Sequence, residues 1–309
     1  MTETERIVLG KDILDERIIL ISGPSRTGKT LLSKVLSTYD NVEWIEEPYS
    51  LRLLIEMCAN GKIDRDSFGK MFAASVNEVF NDQILLRSAN FRPGDLSNIW
   101  DQKSVQHITH RLNSLQSRED VSMYMEKVRP YFIIDIPDVL PYTELLREKC
   151  SNLIVICVVR DPYDAAVDYL NKGWFESAGE QSAYNSLYRE YGTKRIPTWV
   201  RRGEEEEYLK ASPYERGLMY WVDILAGDNE AKQDSLIDTY VRYEDMTENI
   251  DDVLGSLSRF IDITGHETPM TEAAKSRIHK SEHTFMKRDI THVNIGLLNM
   301  IMEKYGYGS

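Results

Sequence analysis

The clearest pattern along the chain is a series of short apolar or β-branched runs, each followed by polar residues. The runs lie at residues 17–22, 42–45, 131–135, 153–159 and 238–243. Runs of this length are typical of strands buried on both faces of a parallel sheet. Apolar residues at helical spacing lie between and after them, as in 30–36, 250–260 and 295–305. This alternation predicts an α/β fold, a parallel sheet with helices on both faces.

The stretch from about residue 50 to about 130 breaks the alternation. It is predicted to be mostly helical, with polar interruptions at 59–61 and 92–94. We interpret it as a helical insertion that shapes a binding pocket. No repeat, low-complexity tract or linker divides the chain. We therefore predict a single domain over residues 1–309.

The first strand ends in a glycine-rich turn, Gly23-Pro24-Ser25-Arg26-Thr27-Gly28-Lys29-Thr30, which fits the pattern GxxxxGK[ST]. The glycines allow backbone N–H groups to point inward, and the following helix adds partial positive charge at its start. Lys29 can reach terminal phosphate oxygens, and Thr30 can ligate Mg²⁺ if a metal is used. The turn is therefore predicted to be a P-loop that binds a nucleotide phosphate.

Other polar residues follow the remaining strands. Glu46 and Glu47 come after the second strand, Asp135 ends the third, and Arg160 ends the fourth. Because ligands bind at the carboxyl ends of parallel strands, we expect all of them on one rim with the P-loop. Arg160 is followed by Asp161-Pro162, which begins a helix. Its guanidinium either binds a phosphate or forms a structural ion pair with a nearby aspartate.

Glu46 or Glu47 is the first candidate for a general base, and Asp135 is the second. A base here needs a pKa raised by burial or by a neighbouring carboxylate. The alternative for the two glutamates is an ion pair with Arg26 or Lys29.

Composition limits the possible partners. The formal net charge is −13, which argues against binding nucleic acid or an anionic membrane surface. No apolar run approaches the roughly 18 residues of a membrane span, and the first residues lack the pattern of a signal peptide, so we expect a cytoplasmic protein. Three cysteines without CxxC spacing indicate neither a disulfide framework nor a zinc site.

Taken in order, five short motifs resemble those of the nucleotide-dependent sulfotransferase family. They are Ser25–Thr30, Glu47-Pro48, Arg160-Asp161-Pro162, Arg242-Tyr243-Glu244-Asp245 and Gly306-Tyr307. The resemblance covers about residues 17 to 308. Each motif alone is weak, and the five in order are specific.

The resemblance implies a sulfotransferase that moves a sulfuryl group from 3′-phosphoadenosine 5′-phosphosulfate (PAPS) to a hydroxyl of a small molecule or carbohydrate. It implies that the P-loop holds the 5′-phosphosulfate, that Arg26 stabilises the transferring group, and that Arg160 holds the 3′-phosphate. No metal is required. The helical insertion would then build the acceptor pocket.

Three positions depart from the family pattern. Lys29 stands where the family has Thr or Ser, and Asp168 stands where a serine helps to bind the 3′-phosphate. The third strand ends in Asp135-Ile136-Pro137, where the family commonly has a lysine before the proline. A GxxxxGKT loop with an aspartate at a strand end is also the arrangement of an ATP·Mg²⁺ site, with Thr30 and Asp135 holding the metal. A P-loop kinase that phosphorylates a small-molecule hydroxyl is therefore the alternative.

Overall fold

The computed structural model describes residues 14–46, 48–178, 187–227, 230–264, 269–276, 278 and 290–308. Its strands are β1 Leu14–Ser22, β2 Val42–Ile45, β3 Tyr131–Asp135, β4 Cys150–Val159, β5 Tyr188–Tyr191, β6 Lys194–Pro197 and β7 Thr239–Arg242. Its α-helices are α1 Lys29–Leu36, α2 Tyr49–Ala59, α3 Arg65–Ile84, α4 Val105–Ser114, α5 Arg118–Val128, α6 Thr143–Lys149, α7 Pro162–Asn171, α8 Glu205–Lys210, α9 Pro213–Ala226, α10 Glu230–Asp234, α11 Tyr243–Leu257, α12 Pro269–Lys275 and α13 Ile295–Lys304. The α/β class predicted from the sequence is confirmed.

Five strands form one sheet in the order β2-β3-β1-β4-β7, and every neighbouring pair is parallel. β1 pairs with β3 on one side and with β4 on the other, so Ile19 lies beside Ile133 and Ile154. The strands are joined through helices, as parallel pairing requires. All five carboxyl ends therefore meet at one edge.

Alternate residues of β1 enter two separate cores. Ile18 and Leu20 pack on one face, in the core that also holds residues of α2, α3, α7, α9 and α13. Ile19 and Ile21 pack on the opposite face against residues of α1 and α11. Burial on both faces explains why β1 is a continuous apolar run.

The stretch expected to be a helical insertion contains α2 to α5, as predicted. Most of it builds core: Phe80 of α3 stacks on Phe132 of β3 with ring centroids 3.7 Å apart. Only the end of α2 and the residues after it, Cys58–Arg65, reach a large cavity.

A buried ionic cluster ties α4 to the sheet edge. Arg111 of α4 forms a two-pronged ion pair with Glu43 of β2, and Lys103 donates to three backbone carbonyls around β2. Burial alone would raise the pKa of Glu43, but Arg111 and Lys103 outweigh it and lower that pKa. Burial lowers the pKa of Lys103 to about 8. The cluster stabilises the insertion and lies away from the P-loop.

Two elements between residues 171 and 235 are absent from the sequence prediction. One is the antiparallel β5–β6 hairpin, and the other is α9, which is buried on nearly every side. α9 packs against α7 and α13 and places Tyr220 beside the P-loop and Trp221 beside Arg160.

Within the described ranges, no helix is both long and apolar enough to cross a membrane.

Candidate functional site

The P-loop joins β1 to α1 at the centre of the sheet edge. Gly23 has φ 140°, and a Cβ there would lie 2.3 Å from the carbonyl oxygen of Val158. Gly28 has φ 91°, and a Cβ there would lie 2.7 Å from the Tyr243 ring. Both positions therefore require glycine. The loop leads directly into the start of α1, and a helix N-terminus favours an anion.

Side chains of the loop hold its shape from within. The Lys29 ammonium donates to the carbonyl of Pro24 at 2.7 Å, and the buried Thr27 hydroxyl donates to the same oxygen at 2.9 Å. Thr30 lies half-buried in the first turn of α1. Arg26 has φ 64°, and 47% of its side chain is exposed. Arg26 is therefore the loop cation that faces solvent.

Two tyrosines, which sequence analysis did not assign to the site, fix the middle of the loop. The Ser25 N–H donates to the Tyr220 hydroxyl at 2.8 Å, and the Tyr169 hydroxyl donates to the Ser25 carbonyl at 2.7 Å. Tyr220 in turn donates to the Asp138 carboxylate, which also accepts from Arg52 at 3.1 Å. A buried chain of hydrogen bonds thus runs from α2 through α9 to the loop.

Arg160 lies beside the loop, as expected from its position after β4. Its guanidinium donates to the Asp168 carboxylate at 2.7 Å and to the Arg26 carbonyl at 3.3 Å. Asp168 also lies 3.7 Å from the Arg26 guanidinium. Only 4% of the Arg160 side chain and 12% of Asp168 are exposed. Arg160 and the loop residue Arg26 therefore share one carboxylate, which offsets one of their two positive charges.

Asp168, which stands where the resemblance implies a serine, is thus matched by a cation. From the sequence, Asp161 and Asp164 were the candidates for a structural ion pair with Arg160. In the structure Arg160 pairs with Asp168 instead. Asp161 instead accepts from the N–H groups of Tyr163 and Asp164 and caps the start of α7.

Residues from the remaining motifs contact this arginine and one another. The Arg160 guanidinium lies 4.8 Å from the centre of the Tyr243 ring. Glu244 accepts from the Asp161 N–H at 3.0 Å and from the Tyr307 hydroxyl at 2.7 Å. Segments far apart in sequence therefore meet behind the P-loop.

The candidate bases lie at increasing distances along the edge. Asp135 is fully buried next to β1 and accepts from the Ser33 hydroxyl of α1 at 3.2 Å. Glu46 follows β2, which lies beyond β3, so its backbone is about two strand spacings, or roughly 10 Å, from β1. Glu47 lies outside the described residues. Asp135 thus contacts α1 directly.

No protein-family model matches the chain, and no curated protein sequence matches it significantly. Among the solved structures to which it is similar are three sulfotransferases. The sulfotransferase domain of the Synechococcus PCC 7002 olefin synthase is 12% identical, with a TM-score of 0.49 and 99% of this chain and 100% of that one covered. The sulfotransferase domain of the curacin biosynthetic pathway is 16% identical, with a TM-score of 0.42 and coverages of 84% and 77%. A Mycobacterium avium sulfotransferase is 15% identical, with a TM-score of 0.42 and coverages of 95% and 77%.

Proposed function

We propose that this protein is a nucleotide-dependent sulfotransferase that moves a sulfuryl group from PAPS to a hydroxyl of a small molecule or carbohydrate. The observation that carries the proposal is the meeting of four quoted motifs at one place. Arg160 contacts both the P-loop and Tyr243, while Glu244 joins Asp161 to Tyr307. Motifs that resemble one family in sequence order thus also form one connected site.

The residues present fit the 5′ end of such a donor. The glycine turn and the start of α1 offer backbone N–H groups, and α1 has no acidic residue in its first turn. Lys29 and Arg26 add two cations on the same loop. Fixed donors and cations of this kind stabilise charge that spreads over a transferring group.

Sulfuryl transfer to a hydroxyl needs a general base and a set of cations. A bound phosphosulfate would supply the sulfuryl group: its sulfur–oxygen bond to the phosphate breaks while a new one forms to the acceptor oxygen, whose proton passes to a carboxylate. We propose Asp135, Glu46 and Glu47 as candidates for that carboxylate, with Asp135 next to α1. We propose Arg26, half exposed on the loop, as the cation nearest the transferring group.

The residues do not fit a 3′-phosphate in the same way. The Asp168 carboxylate lies 2.7 Å from the Arg160 guanidinium, so a 3′-phosphate that binds Arg160 must displace this carboxylate. This contact favours a second candidate, the ATP·Mg²⁺ kinase, in which Lys29, Thr30 and Asp135 hold the triphosphate and its metal. Asp135 lies against α1 through Ser33, one turn beyond Thr30, as that candidate needs.

Nucleotide binding by the Lys29→Ala variant tests the loop assignment. We expect the affinity for 3′-phosphoadenosine 5′-phosphate (PAP), measured by calorimetry in EDTA, to fall at least tenfold while circular dichroism stays unchanged. The matched control is Lys70→Ala, which removes a lysine of α3 that pairs with Asp66. Equal PAP affinity in wild type and Lys29→Ala would refute the assignment.

A further inference from the structure

A large cavity lies beside the end of α9. Its volume is about 820 Å³, within the range of pockets that hold small molecules. Its walls are the end of α2 with the residues that follow, the start of α6, the β5–β6 hairpin with residues 198–202, and the end of α9.

The cavity lining has more basic than acidic side chains, whereas the whole protein is acidic. The chain carries a formal net charge of −13. The cavity is lined by five cationic side chains and three carboxylates, the cations being Lys62, Arg65, Arg189, Arg201 and Arg202. Three of the cations are paired with carboxylates, Arg65 with Glu148, Arg189 with Glu205 and Arg201 with Asp223. Lys62 and Arg202 therefore supply the positive charge of this concave surface, which concentrates anions.

Two of these arginines are held in fixed positions. Arg201 lies 3.2 Å from the buried Asp223 carboxylate and donates to the Gly227 carbonyl at 2.8 Å. Arg189 pairs with Glu205 at 2.6 Å, and each of the two arginine side chains is 25% exposed. Carboxylates therefore neutralise both guanidiniums, and these two arginines shape the cavity wall.

Two other cations keep their charge available. Lys62 and Arg202 are exposed at the cavity and, among the residues that the structure describes, have no carboxylate within ion-pair distance. A carboxylate or sulfate group on a ligand would find cations there that no described acidic residue neutralises.

The cavity also has an aromatic wall that leads to the P-loop. Trp199, Tyr142 and Tyr188 line it. Trp199 packs edge-on against Tyr220 with ring centroids 5.3 Å apart, and Tyr220 accepts from the Ser25 N–H. One layer of side chains thus separates the cavity from the loop. On the cavity side, the Trp199 indole can pack on a ring of a ligand.

We propose that this cavity binds a ring compound that carries an oxyanion group, a carboxylate or a sulfate, through Lys62 and Arg202 with Trp199 against the ring. This assignment rests on the cavity alone: because Tyr220 lies between the cavity and the P-loop, it does not make the bound compound the acceptor of the proposed transfer.

The test compares two probes that differ in one group, p-nitrophenyl β-D-glucuronide and p-nitrophenyl β-D-glucoside. Binding is followed by tryptophan fluorescence with calorimetry at low ionic strength. We expect the wild type to bind the glucuronide about tenfold more tightly than the glucoside, since two charge-assisted contacts are gained. In the double variant Lys62→Gln/Arg202→Gln the preference should fall below about threefold.

The matched control is Arg195→Gln, an exposed arginine on the same hairpin that does not line the cavity. It should keep the full preference. A wild type that binds both probes equally, or binds neither, overturns the proposal, and so does an equal loss of preference in Arg195→Gln.

The same titration in Lys29→Ala separates the two proposals. Glucuronide binding should persist there, because Lys29 lies on the loop and does not line the cavity. If wild type fails to bind PAP yet prefers the glucuronide, the proposed function falls and the cavity assignment stands. If PAP binds and the glucuronide preference is absent, the opposite holds.

Discussion

Asp168 offers the sharpest test of which nucleotide this site accepts. Its carboxylate lies 2.7 Å from the Arg160 guanidinium and 3.7 Å from that of Arg26. The variant Asp168→Ser restores the residue expected from the resemblance and frees both arginines. We expect the variant to bind a nucleotide with a 3′-phosphate more tightly than wild type does.

The size of the gain follows from the charges. A phosphate placed beside Arg160 stands about 4 Å from the Asp168 carboxylate, and two unit charges at that distance interact by about 4 kcal/mol at an effective dielectric constant near 20. Arg26 is half exposed, so solvent screens part of this repulsion. We expect a gain of about 2 kcal/mol, or about thirtyfold in affinity.

The assay is calorimetric titration with PAP and with adenosine 5′-phosphate, both in EDTA. The ratio of the two affinities isolates the 3′-phosphate, and it should rise about thirtyfold in Asp168→Ser. The control Glu126→Gln removes one exposed negative charge from α5 and should leave the ratio unchanged. A ratio that stays constant or falls in Asp168→Ser would show that no 3′-phosphate binds at Arg160.

Three further predictions concern the loop and the C-terminal segment. Gly28→Ala should abolish PAP binding and cost about 2 kcal/mol or more, while Gly61→Ala, also at positive φ but with open space around it, should cost about 1 kcal/mol and leave PAP binding intact. Tyr220→Phe should lower the free energy of unfolding in urea by about 1–3 kcal/mol, because the Ser25 N–H loses its acceptor. Backbone N–H donors outweigh burial and lower the pKa of Glu215 to about 2, so its stabilisation is complete above pH 4.5 and is lost as the pH falls toward 2. Urea midpoints at pH 5 and pH 3 should therefore differ more in wild type than in Glu215→Gln.

The sequence was sufficient to predict the five strands of the parallel sheet and the glycine turn after β1. β2 and β3 begin and end where the predicted runs do. β1 and β4 each begin three residues before theirs, because their first residues include the polar Asp15, Glu16, Ser151 and Asn152 and so do not continue the apolar pattern. The glycine pattern predicted a turn after β1, and the positive φ values of Gly23 and Gly28 confirm that turn.

α9 was missed for a physical reason. It is buried on almost every side although it contains the charged residues Glu215, Arg216 and Asp223, so the polarity of its sequence did not indicate its burial. Its start did carry a local signal: Ser212 and Glu215 form a capping box with Pro213 between them. Without α9, Tyr220 could not be assigned to the loop.

The pairing of Arg160 with Asp168 could not be predicted either. The two residues are eight apart, one at a strand end and one on the following helix, and their contact depends on how α7 lies against β4. Sequence spacing does not fix that geometry. The sequence therefore showed that Arg160 is a cation but did not show which carboxylate pairs with it.

The most direct test of the central claim is a thermal-shift titration of the wild-type protein with PAP in EDTA and with ADP in the presence and absence of Mg²⁺. A ligand that binds only the folded state raises the melting temperature by mass action. The sulfotransferase account predicts that PAP raises it without metal, and by more than ADP does. A rise with ADP that requires Mg²⁺, with none from PAP, would contradict that account and establish the kinase alternative.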